Sequence, residues 1–369
     1  MRFITWAASL AGVVVGAGAL GAGPGGSPGA VFTMTNSADG NAIVAYQRFA
    51  DGTLGEPSEF STGGLGTGAG LGNQGGVVLS HNWLFAVNAG SNDVSVFHVG
   101  RGGLTLTDVE ASLGEMPISV AVHEDLVYVL NGAGAGGIQG FLFDGAGDLT
   151  PIEGSARPLS GADVAGPAQI GFSPDGATIV VTEKATSLID TYVVLDDGTT
   201  DGPFVFRSSG MTPFGFDFSK DGDLLVSEAF GGARDASAAS SYAVGPGGEL
   251  AVVSASVPNT ESAMCWLVTN NNGKFCYVTN TGSGTVSGYS INKDTGEIAL
   301  LDDDGVTGVT GEGSAPIDAA FSTNGQYLYV LASGTGEIHI FKAHPGNGSL
   351  TPVDVVGGLP GAANGLAAR

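Results

Sequence analysis

The sequence predicts an all-β chain, a seven-bladed β-propeller with four antiparallel strands per blade. Three observations predict it. A short apolar phrase ending, in six of its seven copies, on an amide or an acid comes round at TMTN (33–36), FAVN (85–88), YVLN (128–131), VVTE (180–183), LVSE (225–228), YVTN (277–280) and YVLA (329–332). Successive phrase ends lie 43 to 52 residues apart, a period at which each repeat is one small sheet. The chain ends also complement each other. The first repeat opens on its second strand at Ala30–Asn36, whereas the tail GAANGLAAR (361–369) reads as a first strand with nothing after it.

With the strands of a blade named a to d from axis to rim, the phrase is strand b. Strand c follows a loop and carries a central aromatic: Tyr46, Phe97, Phe141, Tyr192, Tyr242, Tyr289 or Phe341. These rings are expected between neighbouring sheets. Strand d comes after a Gly-containing turn, as in GDLTPIEG (147–154) and GSLTPVDV (348–355). Strand a precedes the phrase and ends in a hairpin turn, as in AQIGFSPDG (168–176), FGFDFSKDG (214–222) and IDAAFSTNG (317–325). Asp-Gly and Asn-Gly after alternating apolar residues are hairpin signals because glycine takes positive φ without a Cβ clash. The tail should supply strand a of the first blade, which removes the free edges of an open ring.

The 64 glycines among 369 residues fall mainly at turns, and no Pro/Ser-rich linker divides the repeats. A single propeller domain over 29–369 is therefore expected. Residues 1–22 carry one arginine, then an apolar run, then small residues. This is the pattern of a secretory signal peptide cut after Ala19 or within the next few residues, so the mature protein is expected to be secreted. No later segment is long enough to span a bilayer. Thirty-six acids against 12 bases give a net charge of −24, which argues against nucleic acid as a partner. A small molecule or an extracellular ligand is the expected partner, and a monomer the expected state.

Cys265 and Cys276 are the two cysteines, on strands a and b of the sixth blade. If Leu267 faces Cys276 the thiols share a face diagonally; if Val268 does, they point to opposite faces. Export permits a disulfide, diagonal pairs fit its geometry poorly, and the pairing stays open. Asn347-Gly-Ser349 in the last c–d turn is a glycosylation sequon.

The ends of b and the starts of a open on one face. Two sets of residues should therefore ring the axial mouth: Asn36, Asn88, Asn131, Glu183, Glu228, Asn280 and Ala332, and inside them Gly76, Ser119, Gln169, Gly215, Cys265, Asp318 and Gly365. Read functionally, Glu183 and Glu228 from adjacent blades are candidate catalytic groups, since crowded carboxylates shift their pKa and serve as general acid or base. Gln169, Asn88, Asn131, Asn280 and Asp318 would bind substrate, and Lys184 and Arg234 are the nearest cations for a substrate carboxylate. Read structurally, the same amides and acids cap turns and satisfy backbone groups. Hard oxygen ligands suit Ca²⁺ or Mg²⁺, but no dense ligand motif is present. No cofactor and no resident metal is expected, with a divalent cation in the central channel as the minor alternative.

Segments such as PAQIGFSPDGATIVVTEKATSLIDTYVV (167–194), VNAGSNDVSVF (87–97), SEAFGGA (227–233), TNTGSGTVSGY (279–289) and PIDAAFSTNGQYLYVLASGTGEIHIFKA (316–343) resemble the seven-bladed lactonase family. That family includes bacterial 6-phosphogluconolactonases and fungal 3-carboxy-cis,cis-muconate lactonizing enzymes. The likeness is nearest to the exported branch known as 3-carboxymuconate cyclase. The resemblance implies a propeller and lactone chemistry, as a hydrolase or an isomerase. It matches Glu183 to the family's glutamate in the fourth blade. The family's histidine has no counterpart, because LGNQGGVVLS (71–80) carries Asn73 and Gln74 there. Two functions stay open: a secreted lactonase-like enzyme working through Glu183 and Glu228, with or without a metal, and a non-enzymatic propeller binding a carbohydrate, a wall component or a protein.

Overall fold

The computed structural model describes residues 29–161 and 164–369. The signal peptide expected over 1–22 lies outside the described residues. Seven sheets form, each of four antiparallel strands in the order a-b-c-d; the sixth carries one further short strand, Gly308–Val309, paired to its strand c. Each sheet's strand a contacts that of the next, through to the seventh, which contacts the tail strand of the first. The ring is thus closed by sequence-remote segments, as the sequence predicts. Asn364–Ala368 is strand a of the first blade and pairs with Gly29–Met34, in the register Val31 to Ala368 and Phe32 to Ala367.

The strand c aromatics expected between sheets are all buried. Tyr46 packs with Tyr329, Ile338 and Ile340 of the seventh blade. Tyr192 and Tyr289 send their hydroxyls to the carbonyls of Pro158 and Val257, at 2.8 and 3.1 Å. These two rings therefore fill the seam between blades while their oxygens tie to the chain ahead of their own sheets, satisfying a polar group that the seam would otherwise strand. The one helical element described is a 3-10 turn, Phe230–Gly232, in the b–c loop of the fifth blade. No helix is long and apolar enough to cross a membrane among the described residues.

The third blade departs from the pattern. Its strand d is only Leu149–Pro151, as short as Ile298–Leu300 of the sixth blade, and the chain beyond it returns to strand c through the Ile152 amide and Ser155 and through a bridge between Ile138 and Arg157.

In the sixth blade neither anticipated cysteine register occurs: Thr269 faces Cys276, and a bulge between Met264 and Leu267 displaces Cys265. Both thiols are buried and free. Asn347 is exposed in its turn, with its Oδ1 accepting from the Ser349 amide and hydroxyl.

Candidate functional site

The phrase-end residues do form a ring of equivalent positions, but their side chains turn into their own blades. Glu183 and Glu228 are both 0 % exposed. The Glu228 carboxylate accepts from the Gly210 amide (2.7 Å) and the hydroxyls of Ser240 (2.6 Å) and Ser256 (2.6 Å). Glu183 accepts from the amide and hydroxyl of Ser160 at 3.0 and 2.7 Å, and from the Thr186 hydroxyl. Asn88 donates to Ser95 and accepts from Asn41, at 2.7 and 2.9 Å. Asn280 donates to Ser287 and accepts from Asn259, at 2.8 and 2.9 Å. This corrects the orientation read from the sequence, which aims these groups at the mouth. A strand end flanked by a following loop offers backbone donors and strand c hydroxyls at close range, and a buried carboxylate or amide takes them.

The register shows why the pattern repeats. The residue two before each phrase end faces a fixed position on strand c, occupied in turn by Ile43, Ser95, Gln139, Asp190, Ser240, Ser287 and His339. In the fourth blade this position sets one acid on another. Asp190 is fully buried, and both its oxygens lack a donor. Burial first, and then the neighbouring Glu183 carboxylate, push its pKa up to about 8. At neutral pH Asp190 therefore keeps its proton. Sequence reasoning missed Asp190; the signal was there, an acid seven residues after Glu183 where Asn88 and Asn280 have serines at the same spacing.

The hub is closed by side-chain clamps between neighbouring a strands. Gln169, half-buried, donates to the Phe216 carbonyl and accepts its amide, at 2.9 and 2.7 Å. Asp217 accepts from the amide and hydroxyl of Thr269, both at 2.7 Å.

Across the mouth lies the Gly-rich connector between the first and second blades. Gln74 reaches the sixth blade, donating to the Leu267 carbonyl (2.8 Å) and accepting its amide (3.1 Å). Its own amide donates to Ala168 of the fourth blade at 3.0 Å. The Trp266 indole donates to the Asn73 carbonyl at 2.6 Å, and the Asn73 amide to the Ile118 carbonyl. Residues 72–75 are thus a plug held by four blades. Glycine is required where the plug touches the wall: a Cβ on Gly215 would lie 2.1 Å from Gln74 Oε1, and Gly75, at φ +79°, would put one 2.7 Å from Ser119 Oγ. Gln74→Ala leaves a buried N–H and C=O of Leu267 unpartnered and is expected to cost about 1–3 kcal/mol, read as a lower urea midpoint; an unchanged midpoint would show that the plug is not held this way.

Below the plug the channel holds a cavity of about 310 Å³ lined by Gln74, Gln169, Asp217, Thr269 and Asp318. Asp318 is buried, and loss of hydration lifts its pKa to about 8. Burial raises Asp217 as well, against the Thr269 and Phe218 donors that lower it. No group of three or more His, Cys, Asp or Glu side chains suited to a metal occurs among the described residues.

Of the two cations named from sequence, Arg234 projects into solvent with its side chain 92 % exposed, near Asp235. Lys184 stays at the mouth. Its ammonium donates to the Gly72 carbonyl and sits 4.7 Å from the centre of the Phe214 ring. Phe214 and Trp266 pack with ring centres 4.8 Å apart, joined by Cys265. Burial lowers the Lys184 pKa to about 8 and raises the Cys265 thiol to about 11. The thiol is therefore protonated and a poor nucleophile, whereas the amine can gain or lose a proton near neutrality.

The chain is a seven-bladed propeller whose channel is stopped at one end, with a titratable amine on an aromatic shelf at that stopper. Residues 267–368 match the family model described as Lactonase, 7-bladed beta-propeller. The whole chain is similar in fold to a putative 6-phosphogluconolactonase from Bacteroides fragilis, with TM-score 0.73 and 18 % identity over 95 % of this chain and 100 % of that one. It is similar also to the periplasmic gluconolactonase of Pseudomonas aeruginosa, with TM-score 0.73 and 16 % identity over 93 % and 99 % of the two chains. At these identities the likeness is one of fold. No curated protein matches the sequence.

Proposed function

We propose that this chain is a secreted lactone hydrolase working at the axial mouth, with Lys184 as its general base. The observation that carries this reading is the Lys184 amine, held on the Phe214–Trp266 shelf with its pKa brought to about 8 by burial. A general base works best with a pKa near the working pH. The neutral amine takes a proton from water as that water attacks the lactone carbonyl; the ring C–O bond then breaks, and the proton passes to the departing alkoxide. The aromatic shelf would take the face of the lactone ring. Glu183 and Glu228, already saturated inside their blades, act in this reading as the frame of the mouth and not as proton carriers. The family match over 267–368 supports lactone chemistry, and the leader-like residues 1–22 and the charge of −24 suit an exported protein.

The test is hydrolysis of a panel of sugar lactones and carboxylated muconolactones by wild type and by Lys184→Arg. Arginine keeps the cation but does not deprotonate in this range, so kcat is expected to fall by about 10²–10⁴-fold, with the wild-type rate rising through about pH 8. Full activity in Lys184→Arg, or no turnover of any lactone, would sink the reading. The second outcome favours a non-enzymatic extracellular propeller, for which the plug across the mouth is the supporting observation.

A further inference from the structure

The third blade carries an open cleft of about 420 Å³ on the side of its b–c loop, walled by Leu113, Glu115, Asn131, Gln139, Arg157 and the glycine-rich run 133–137. It lies where strand d is cut to three residues, and where the blade-internal bonding seen elsewhere fails. In Asn36, Asn88, Glu183, Glu228 and Asn280 both ends of the head group are bonded. In Asn131 only the nitrogen is, to the Ser112 carbonyl at 3.3 Å, and the oxygen has no donor although the residue is only 5 % exposed. Its partner on strand c, Gln139, turns away to Ser155 at 2.7 Å.

We propose that this cleft is a saccharide-binding site distinct from the mouth, in which Asn131, a wall residue whose Oδ1 is closed off and without a donor in the unliganded chain, turns that oxygen to accept from a sugar hydroxyl. A buried acceptor without a donor is costly, and the cleft falls in the size range of small-ligand sites. What it offers a ligand is mostly acceptors: the Asn131 oxygen and the exposed Glu115 carboxylate. Beside the Arg157 guanidinium in the wall, that set suits neighbouring hydroxyls. Leu113, 60 % exposed at the lip, gives the C–H face of a sugar ring an apolar edge. Arg157 holds its wall by donating to the carbonyls of Thr200 and Gly154, at 2.6 and 2.7 Å, so that wall is preformed.

The test is saturation-transfer NMR on the full chain with the methyl glycosides of glucose, galactose, mannose and N-acetylglucosamine, and with methylammonium as a cation control. At least one glycoside is expected to bind. Asn131→Leu should weaken it about tenfold or more, the loss of one well-placed hydrogen bond. Ala156→Trp, at an exposed wall position, should abolish it without touching the core. Lys184→Arg should leave it unchanged, which separates this site from the proposed hydrolase site. No binding by any glycoside, binding that survives Ala156→Trp, or binding of methylammonium alone would overturn the proposal.

Discussion

Removing residues 364–369 is expected to leave the chain unable to fold. The tail is the innermost strand of the first blade, and the segments it joins are more than 300 residues apart in sequence. Without it, Gly29–Met34 becomes an open edge and the wedge between the seventh and second blades is empty. Leu366 and Ala367 are buried in two different core clusters, one shared with the seventh blade and one with the second. The terminal Arg369 carbonyl also takes the Arg48 guanidinium at 2.9 Å, while the backbone of Arg369 exchanges both hydrogen bonds with Ala30. Several unpaired backbone groups plus lost apolar burial together exceed the roughly 5–15 kcal/mol by which a domain is stable. The check is circular dichroism and size exclusion of the truncated chain beside wild type. A cooperative thermal transition within a few degrees of wild type would show that the ring does not depend on this strand. Leu366→Asp, which keeps the backbone ladder and spoils only the wedge, should lower the melting temperature and still fold.

Fold and site were unequally legible in the sequence, for a physical reason. The blades follow from the phrase period and from alternation along each strand, and both are properties of backbone and core that neighbouring residues dictate. Closure followed from counting strands: a first repeat lacking one and a tail supplying it. The direction of a side chain at a strand end obeys no such period. Glu183, Glu228, Asn88 and Asn280 sit where the sequence puts them, yet each turns inward, Glu183 to Ser160 and Thr186 and the other three to a strand c hydroxyl at one register position. Ser240, Ser95 and Ser287 are those partners for Glu228, Asn88 and Asn280, and aligning strand c with the same care as strand b would have found them, and Asp190 beside Glu183. The plug was visible only as a low-complexity stretch. Its Asn73 and Gln74 read as the absence of a histidine; the structure gives them a positive role, tying the second, third, fourth and sixth blades across the axis. Lys184 was named as a cation for a substrate carboxylate, but its ring neighbours, Phe214 and Trp266, come from other blades and carry no local mark. Asn131 was placed with its ring mates, and only its missing bond sets it apart.

The protein is expected to be most stable in mild acid and to lose stability steadily from about pH 5 to about pH 8. Asp190 and Asp318 are buried, and the folded chain lifts the pKa of each to about 8, while Asp217 is also raised. In the unfolded chain these groups titrate near 4. Between the two values the folded state holds protons that the unfolded state has lost, so stability falls as pH rises. The contribution is complete below the unfolded pKa and gone above about 8. Each such proton is worth about 1.4 kcal/mol per pH unit across the window, so two of them amount to several kcal/mol. The exposed Asp51, Asp144 and Asp197 act in the opposite sense, since hydrogen bonds lower them; their share is lost only as pH drops below the ordinary carboxylate range, which sets the acid limit. Lys184, lowered to about 8 by burial, is penalised in full below that value and relieved above it, so it does not mask the decline. Urea midpoints measured across the range should fall monotonically through the window. Asp190→Asn, which keeps the side chain's shape and cannot ionise, should flatten the slope by about one proton's worth. A midpoint that is level or climbs between pH 5 and 8, in roughly the window where the raised carboxyls ionise, would mean that Asp190 and Asp318 are ionised in the folded protein at neutral pH.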